Sequence, residues 1–192
     1  EPIFAHFPGL YVACPATAAD AKGMLKASIR SENPVLFTES IALYPKPGPV
    51  PDDDNYLLPI GKSDIKRSGS DVTIVTYARG LEWSLAAAKT LAKKEGIECE
   101  VVDLRWLRPL DMEPVIESFK KTNRAVIVEE SLPFYSVGSE IAAQIQERAF
   151  DYMDAPVKRV SAMDVPLPYS KDIELMALPD AQKVADAVRS LV

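Results

Sequence analysis

Short apolar runs alternate with longer amphipathic segments over the last two thirds of the chain, and this alternation most constrains the fold. The runs are rich in Val and Ile, and the segments between them place apolar residues at helical spacing. This pattern predicts βαβ units, and therefore an α/β fold with a mainly parallel sheet and helices on both faces. The predicted strands are residues 71–77, 98–104, 124–129 and 155–161, and the predicted helices are residues 81–95, 109–121, 136–153 and 179–191.

A shorter α/β unit comes before this part of the chain. Residues 10–14 and 35–39 are predicted strands, and residues 18–30 between them are a predicted helix. One helix cannot cover both faces of a sheet, so we expect this unit to be the last βαβ unit of a preceding domain. Because the chain starts at Glu1 without Met or signal-peptide character, we also expect it to begin within a longer protein.

A proline-rich stretch separates the two units. From Tyr44 to Pro59 the chain has five prolines and an acidic run at residues 52–54, a composition typical of an extended linker. The predicted organisation is therefore an N-terminal unit, a linker and a C-terminal domain. Their predicted bounds are residues 1–43, 44–60 and 61–192.

Composition and charge argue against several function classes. The chain has 22 Lys and Arg against 28 Asp and Glu, a formal charge of −6, and no basic stripe, so a nucleic-acid partner is not expected. No apolar run reaches the ~18 residues of a membrane span. One histidine, His6, and two distant cysteines, Cys14 and Cys99, are too few for Cys/His zinc chemistry, and we expect the cysteines to be buried thiols. Neither common phosphate-binding glycine loop is present.

Four places at the predicted carboxyl ends of strands could carry chemistry, because open α/β sheets bind ligands there. Arg105 and Arg108 could bind a carboxylate or phosphate, although pairing with Asp103, Asp111 or Glu129 is the simpler interpretation. The four places are residues 77–80, residues 103–111, Glu129 with Glu130, and residues 134–140.

Structural roles are also the simpler interpretation at the other candidates. Glu129 could be a buried general base, and the helix start near residue 136 could bind an anion. Without a nearby His or metal ligand, however, a packing, docking or capping role is favoured for both. His6 is expected to be a hydrogen-bonded structural residue, and the proline loop at residues 164–169 a packing or interface element.

The end of the first long helix is a candidate cation site. The last carbonyls of the helix at residues 18–30 have no intrahelical partner and carry the negative end of its dipole. Ser31 and Asn33 follow with side-chain oxygens. Neutral oxygens of this kind suit a hard cation such as K⁺. Every helix ends in such carbonyls, so the spacing alone is a weak signal.

A series of short stretches, in this order and at this spacing, resembles one family. Together they resemble the β subunits of pyruvate dehydrogenase decarboxylating components, which are thiamine-diphosphate-dependent 2-oxoacid dehydrogenases of transketolase-like architecture. The resemblance covers nearly the whole chain. The stretches are residues 4–12, 20–26, 29–35, 58–62, 69–77, 100–105, 108–111, 120–124, 126–130, 137–141, 150–156 and 164–169.

The resemblance implies a transketolase C-terminal-like domain at residues 61–192, preceded by the end of a thiamine-diphosphate pyrimidine-binding domain at residues 1–43. It implies oxidative decarboxylation of pyruvate with acetyl transfer to a lipoyl group. The partners would be an α subunit that supplies the diphosphate and Mg²⁺ site, a second β subunit and a dihydrolipoyl acyltransferase core. The catalytic glutamate and histidine of the family lie upstream of this chain, so no catalytic or cofactor-binding residue is assigned here. Thiamine diphosphate would be bound by the full heterotetramer.

The potassium site of the family falls within the chain. By the motif it would use the carbonyls of Ser28 and Ile29, together with Ser31 and Asn33, at the helix end described above. The family often has Asp where this chain has Ser31, so one ligand charge is lost. For docking of a basic acyltransferase domain, Glu129, Glu130 and the chain-terminal carboxylate are the candidates.

Other interpretations stay open on the sequence alone. Branched-chain 2-oxoacid and acetoin dehydrogenase β subunits share these motifs. A non-catalytic assembly or interaction module is a second alternative, and a piece of transketolase or deoxyxylulose-phosphate synthase fits less well. A bacterial cytoplasm and a mitochondrial matrix are both compatible with two free cysteines and no signal.

Overall fold

Strands and helices alternate along most of the chain, and the computed structural model describes residues 1–192. The helices are α1 (Pro2–Ala5), α2 (Ala18–Ile29), α3 (Gly80–Glu95), α4 (Glu113–Thr122), α5 (Val137–Ala149), α6 (Lys171–Ala177) and α7 (Ala181–Arg189). The strands are β1 (Tyr11–Ala13), β2 (Val35–Phe37), β3 (Asp64–Arg67), β4 (Val72–Thr76), β5 (Cys99–Asp103), β6 (Trp106–Arg108), β7 (Ala125–Val128) and β8 (Lys158–Val160). Short 3₁₀ turns occupy Ile41–Leu43 and Phe150–Tyr152.

The larger sheet has the strand order β3-β5-β4-β7-β8. Strands β5, β4, β7 and β8 run parallel, and β3 pairs antiparallel with β5 at the edge. Side chains alternate between the two faces, as in β4, where Val72 and Ile74 pack with α3 and α7, while Val75 packs with α4 and α5. The predicted α/β class, with a mainly parallel sheet covered on both faces, is therefore confirmed.

The smaller sheet joins the two parts of the chain. Its order is β2-β1-β6, with β1 parallel to β2 and antiparallel to β6. The β1–α2–β2 segment is thus the predicted parallel βαβ unit. Strand β6 comes from the C-terminal domain, between β5 and α4, and its Trp106 is completely buried beside Ala13 and Met24. The sequence predicted no element between the strand at residues 98–104 and the helix at residues 109–121, so β6 was missed, because a three-residue strand with a distant partner leaves no periodic signal.

Local capping explains most of the helix boundaries. Thr17 accepts a hydrogen bond from the backbone N–H of Asp20 at the start of α2, and Asp180 accepts one from Lys183 at the start of α7. Gly96 ends α3 in the left-handed conformation with φ 71°. The sequence missed β3 and α6, and it placed the end of α5 too late, at residue 153 rather than Ala149.

The proline-rich stretch has no helix or strand from Tyr44 to Gly61. It is tied to α2, since Lys22 Nζ donates to the carbonyl of Pro51 over 2.6 Å and Lys26 Nζ to that of Asp54 over 2.7 Å. None of the helices in this chain has the length and apolar character that crossing a membrane would require.

Candidate functional site

A cleft of ≈ 240 Å³ lies where the carboxyl ends of strands from both sheets meet. Cys14 follows β1, Thr38 follows β2, Tyr77 follows β4 and Glu130 follows β7. Open α/β sheets bind ligands at such a place, so this cleft is the first candidate for chemistry. The residues that line it are Glu1, Cys14, Thr38, Glu39, Ser40, Tyr77, Ala78, Glu130 and Ser131.

The cysteine and tyrosine in the cleft are uncharged at neutral pH. Burial raises the pKa of the Cys14 thiol to about 12, and its Sγ lies 2.9 Å from Thr38 Oγ1. Burial also raises the pKa of Tyr77 well above its usual value. A thiol in this state is a poor nucleophile. Cys14 and Cys99 are both free and buried, as the sequence predicted.

Glu129 is turned away from the cleft, toward helix α5. It is completely buried, and its Oε2 accepts hydrogen bonds from the backbone N–H of Gly138 over 3.0 Å and from the Tyr77 hydroxyl over 3.3 Å. Burial raises the pKa of Glu129, although hydrogen bonds from Ser136, Gly138 and Tyr77 oppose that shift. The structure therefore favours the structural interpretation of Glu129 over that of a general base.

The same contact changes two further predictions. The start of α5 already has the Glu129 carboxylate as its anionic partner, so it is not free to bind a ligand. Glu129 is also too deeply buried to dock a second protein, so that prediction was wrong for this residue. Glu130 remains partly exposed, in an ion pair of 3.1 Å with Arg79, whose guanidinium stacks over Trp83.

The two arginines of residues 103–111 have different surroundings. Arg105 binds carboxylates of Asp20 and Asp64, with Nε 2.9 Å from Asp20 Oδ1 and Nη2 2.8 Å from Asp64 Oδ2. The predicted side-chain partners Asp103, Asp111 and Glu129 were therefore wrong, because the acceptors come from α2 and β3. Arg108 forms no ion pair and lines a second cleft, of ≈ 490 Å³, together with His6, Tyr135 and Glu140.

The remaining two candidates are exposed. His6 has an exposed side chain without a hydrogen-bond partner, and its ring lies edge-on to that of Phe7 with 5.9 Å between the ring centroids. The prediction of a hydrogen-bonded structural histidine was therefore wrong. Residues 164–169 are largely exposed, with Tyr169 entirely so, which favours an interface over packing within this chain.

The residues of the candidate cation site lie in the last turn of α2 and in the four residues that follow it. The carbonyl of Ser28 accepts from the N–H of Ser31 over 3.2 Å, and Ser31 Oγ accepts from the N–H of Asn33 over 3.1 Å. Asn33 donates its side-chain N–H to the hydroxyl of Tyr11 over 3.2 Å, which leaves the amide oxygen for a ligand. No group of three or more His, Cys, Asp or Glu side chains in this chain could hold a metal ion. The neutral oxygens of this turn fit a monovalent rather than a divalent cation.

Comparison with known proteins places these observations in a family. Residues 61–184 match the family model of the transketolase C-terminal domain, and residues 1–47 match that of the transketolase pyrimidine binding domain. A solved structure titled "Split gene transketolase, inactive beta4 tetramer" superposes with a TM-score of 0.78 at 27% identity, covering 99% of this chain and 59% of that chain.

Curated relatives are similar over almost the whole chain. The pyruvate dehydrogenase E1 component subunit beta of Rhizobium meliloti is 48% identical over 98% of this chain and 41% of the relative. The mitochondrial subunit of the same name from Caenorhabditis elegans is 50% identical over 97% of this chain and 54% of the relative. That of Saccharomyces cerevisiae is 45% identical over 100% and 53%. The chain thus spans about half the length of these relatives.

Proposed function

The chain belongs to the family of the transketolase C-terminal domain, and from this premise we propose that it is the C-terminal part of a pyruvate dehydrogenase β subunit. The observation that carries the proposal is the 48–50% identity to pyruvate dehydrogenase E1 β subunits over 97–98% of this chain. The assembled enzyme decarboxylates pyruvate oxidatively and transfers the acetyl group to a lipoyl group. The relatives favour pyruvate over branched-chain 2-oxo acids and acetoin, because each of those quoted above carries the pyruvate name.

The role of this chain is to position the N-terminal βαβ unit, and it supplies no reacting group. Cys14 and Tyr77 keep their protons, and Glu129 is bound to the start of α5, so none of the three is available as a nucleophile or base. Strand β6 and its buried Trp106 fix the position of the N-terminal βαβ unit. In the full subunit, that unit is the end of the domain that holds the aminopyrimidine of the cofactor.

The cofactors of the assembled enzyme are thiamine diphosphate with Mg²⁺. Thiamine diphosphate supplies the electron sink for decarboxylation. The diphosphate and Mg²⁺ are bound by the α subunit. A K⁺ ion binds at the end of α2 through the carbonyls of Ser28 and Ile29, with Ser31 and Asn33, and orders the loop that leads toward the cofactor.

The partners of the full subunit are an α subunit, a second β subunit and a dihydrolipoyl acyltransferase core. The formal charge of −6 suits a basic docking domain on the acyltransferase, with Glu130 and the carboxylate of Val192 as the available acidic groups. Neither nucleic acid nor a membrane is proposed as a partner. The compartment is a bacterial cytoplasm or a mitochondrial matrix, a proposal supported by one relative from Rhizobium meliloti and two whose names include the word mitochondrial.

The test is reconstitution of the full-length subunit with its α subunit. The expected product is a heterotetramer by native mass spectrometry that reduces an artificial electron acceptor with pyruvate when thiamine diphosphate and Mg²⁺ are supplied. Branched-chain 2-oxo acids and acetoin are the matched alternative substrates. If either alternative turns over faster than pyruvate, that compound replaces pyruvate as the proposed substrate. Failure to bind any α subunit would favour a non-catalytic assembly module instead.

A further inference from the structure

A group of five charged residues lies at the boundary between the N-terminal unit and the C-terminal domain. We call it the boundary cluster, and it consists of Asp20, Asp64, Lys66, Asp103 and Arg105. Asp20 comes from α2, and the other four come from β3, β5 and the β5–β6 connection. Lys66 Nζ lies 2.9 Å from both Asp20 Oδ2 and Asp64 Oδ2, and Arg105 bridges the same two aspartates. The cluster therefore ties the two units together by ion pairs.

Arg105 links the two units through both its backbone and its side chain. Its backbone is left-handed, with φ 60°, and its N–H donates to Asp103 Oδ1 over 3.2 Å. In this conformation its carbonyl accepts the N–H of Cys14 over 2.7 Å, directly after β1. Its side chain meanwhile reaches Asp20 on α2. The carboxyl group of Asp103 thus supports the turn from which Arg105 contacts both the end of β1 and helix α2.

The charges of the boundary cluster do not balance when every group is ionised. Three carboxyl groups face two cations, and both cations are engaged by Asp20 and Asp64. Asp103 is completely buried, its Oδ2 has no hydrogen-bond partner, and the nearest cation, Lys66 Nζ, is 3.9 Å away. Burying a carboxylate without a partner carries a large cost in free energy.

No other element packed against Asp103 supplies a compensating charge. Cys14, after β1, stays a neutral thiol because burial raises its pKa to about 12. Thr76, which pairs with Asp103 from β4, is uncharged, and the Thr76 hydroxyl donates to the carbonyl of Val128. The side chains here also do not form a site for a metal ion. A proton is the remaining species that removes the excess charge.

We propose that Asp103 carries a proton on Oδ2 in the folded protein, and that this proton makes the boundary cluster a pH-sensitive joint between the two units. With the proton bound, Oδ1 still accepts the N–H of Arg105, and the cluster is neutral. Loss of the proton leaves an unpaired buried carboxylate beside Asp20, and the boundary loosens. Burial raises the pKa of Asp103 from 3.8 to about 7, repulsion from Asp20 adds to the rise, and Lys66 and Arg105 oppose it. This joint does not depend on the substrate or partners proposed above.

The direction of the pH effect follows from the raised pKa. The folded protein binds the proton more tightly than the unfolded chain, so the stabilisation is complete below pH 3.8 and is lost as the pH rises through about 7. Asp20 has the opposite behaviour, since hydrogen bonds from Thr17 and Lys66 lower its pKa against the effect of burial. Its contribution is lost only at more acidic pH, so the two effects occupy different pH ranges.

The direct experiment is infrared difference spectroscopy of the full-length assembled protein, labelled with ¹³C in its aspartate carboxyl groups only. The label excludes the buried Glu129, whose pKa is also raised. A protonated-carboxyl C=O band is expected at acidic pH that disappears through about pH 7, and it should be missing in Asp103→Asn. Because the unmodified protein is measured first, the test does not depend on any variant folding. A spectrum without this band near pH 5 to 6, roughly the range in which the proton should be bound, would overturn the proposal.

The second experiment reports on the boundary itself. In a Trp83→Phe background, the fluorescence of buried Trp106 should shift to the red as the pH rises past neutral, because opening the boundary exposes its ring to water. The opening equilibrium is expected to increase by up to about tenfold per pH unit. Asp103→Asn should remove this shift. Glu100→Gln is the matched control, since Glu100 is buried on the same strand but has a lowered pKa and a Lys121 partner. The proposal would be contradicted if the fluorescence shift were unchanged in Asp103→Asn, or if it were lost in Glu100→Gln.

Discussion

Gly138 donates its backbone N–H to Glu129 Oε2 over 3.0 Å, and a Cβ atom added at Gly138 would lie 2.4 Å from Glu129 Oε1. The close approach of the carboxylate to helix α5 therefore requires a residue without a side chain at this position. The contact links the end of β7 to the start of α5 and satisfies a backbone donor that would otherwise be buried without a partner.

Gly138→Ala is expected to destabilise the protein by about 2–3 kcal/mol, because the Glu129 carboxylate must move and loses its donor while it stays buried. Urea denaturation would measure the change. Gly48→Ala is the matched control, since a Cβ there meets only Ala18 Cβ at 3.8 Å, and it should change the free energy of unfolding by less than about 0.5 kcal/mol. Equal effects of the two variants would show that the Glu129–Gly138 contact contributes little.

The two arginines of residues 103–111 should differ strongly in their effect on stability. Arg105→Met leaves Asp20 and Asp64 with only Lys66, in a cluster where Asp20 is 1% exposed, and should cost about 3 kcal/mol. Arg108→Met removes no ion pair and should cost less than about 1 kcal/mol. Thermal unfolding of both variants would measure this. A similar loss in both would mean that chain packing, and not the ion pairs, sets the effect.

Some parts of the fold can be predicted from the sequence because local residue patterns determine them. The Val- and Ile-rich runs that became β4 and β7 were predicted because both faces of a central parallel strand are buried, which makes the run continuously apolar. The cap at Thr17 and the left-handed end at Gly96 are local features of the same readable kind, because a few adjacent residues determine them.

The partners of Arg105 could not be predicted in the same way. Asp20 lies 85 residues earlier and Asp64 lies 41 residues earlier, so only the folded topology brings them together. Strand β6 could not be predicted for the same reason, since its three residues become a strand only through pairing with the distant strand β1. For Glu129, a usable signal was present in the sequence, namely a glycine in the first turn of the helix that follows a strand-end carboxylate.

The two cysteines should react slowly and at different rates with a thiol reagent near pH 8. Burial raises the pKa of Cys14 to about 12 and that of Cys99 to about 11. The thiolate fraction of Cys14 should therefore be roughly tenfold below that of Cys99. Mass-spectrometric tracking of each alkylated peptide would give both rates, with the denatured protein as control. Faster alkylation of Cys14 would show that the cleft opens and exposes it.

Potassium should stabilise the protein through the ion site proposed at the end of α2. Neutral oxygens from Ser28, Ile29, Ser31 and Asn33 select a weakly hydrated monovalent cation, so K⁺ should raise the melting temperature more than Na⁺ at equal ionic strength. Ser31→Asp adds a carboxylate ligand and should shift the midpoint of the K⁺ titration to several-fold lower concentration. Ser190→Asp is the matched control, because Ser190 is the C-cap of α7 and places the same charge at another helix end. Equal stabilisation by K⁺ and Na⁺, or equal responses of the two Asp variants, would remove the site from the proposed function and leave the turn as an ordinary helix end.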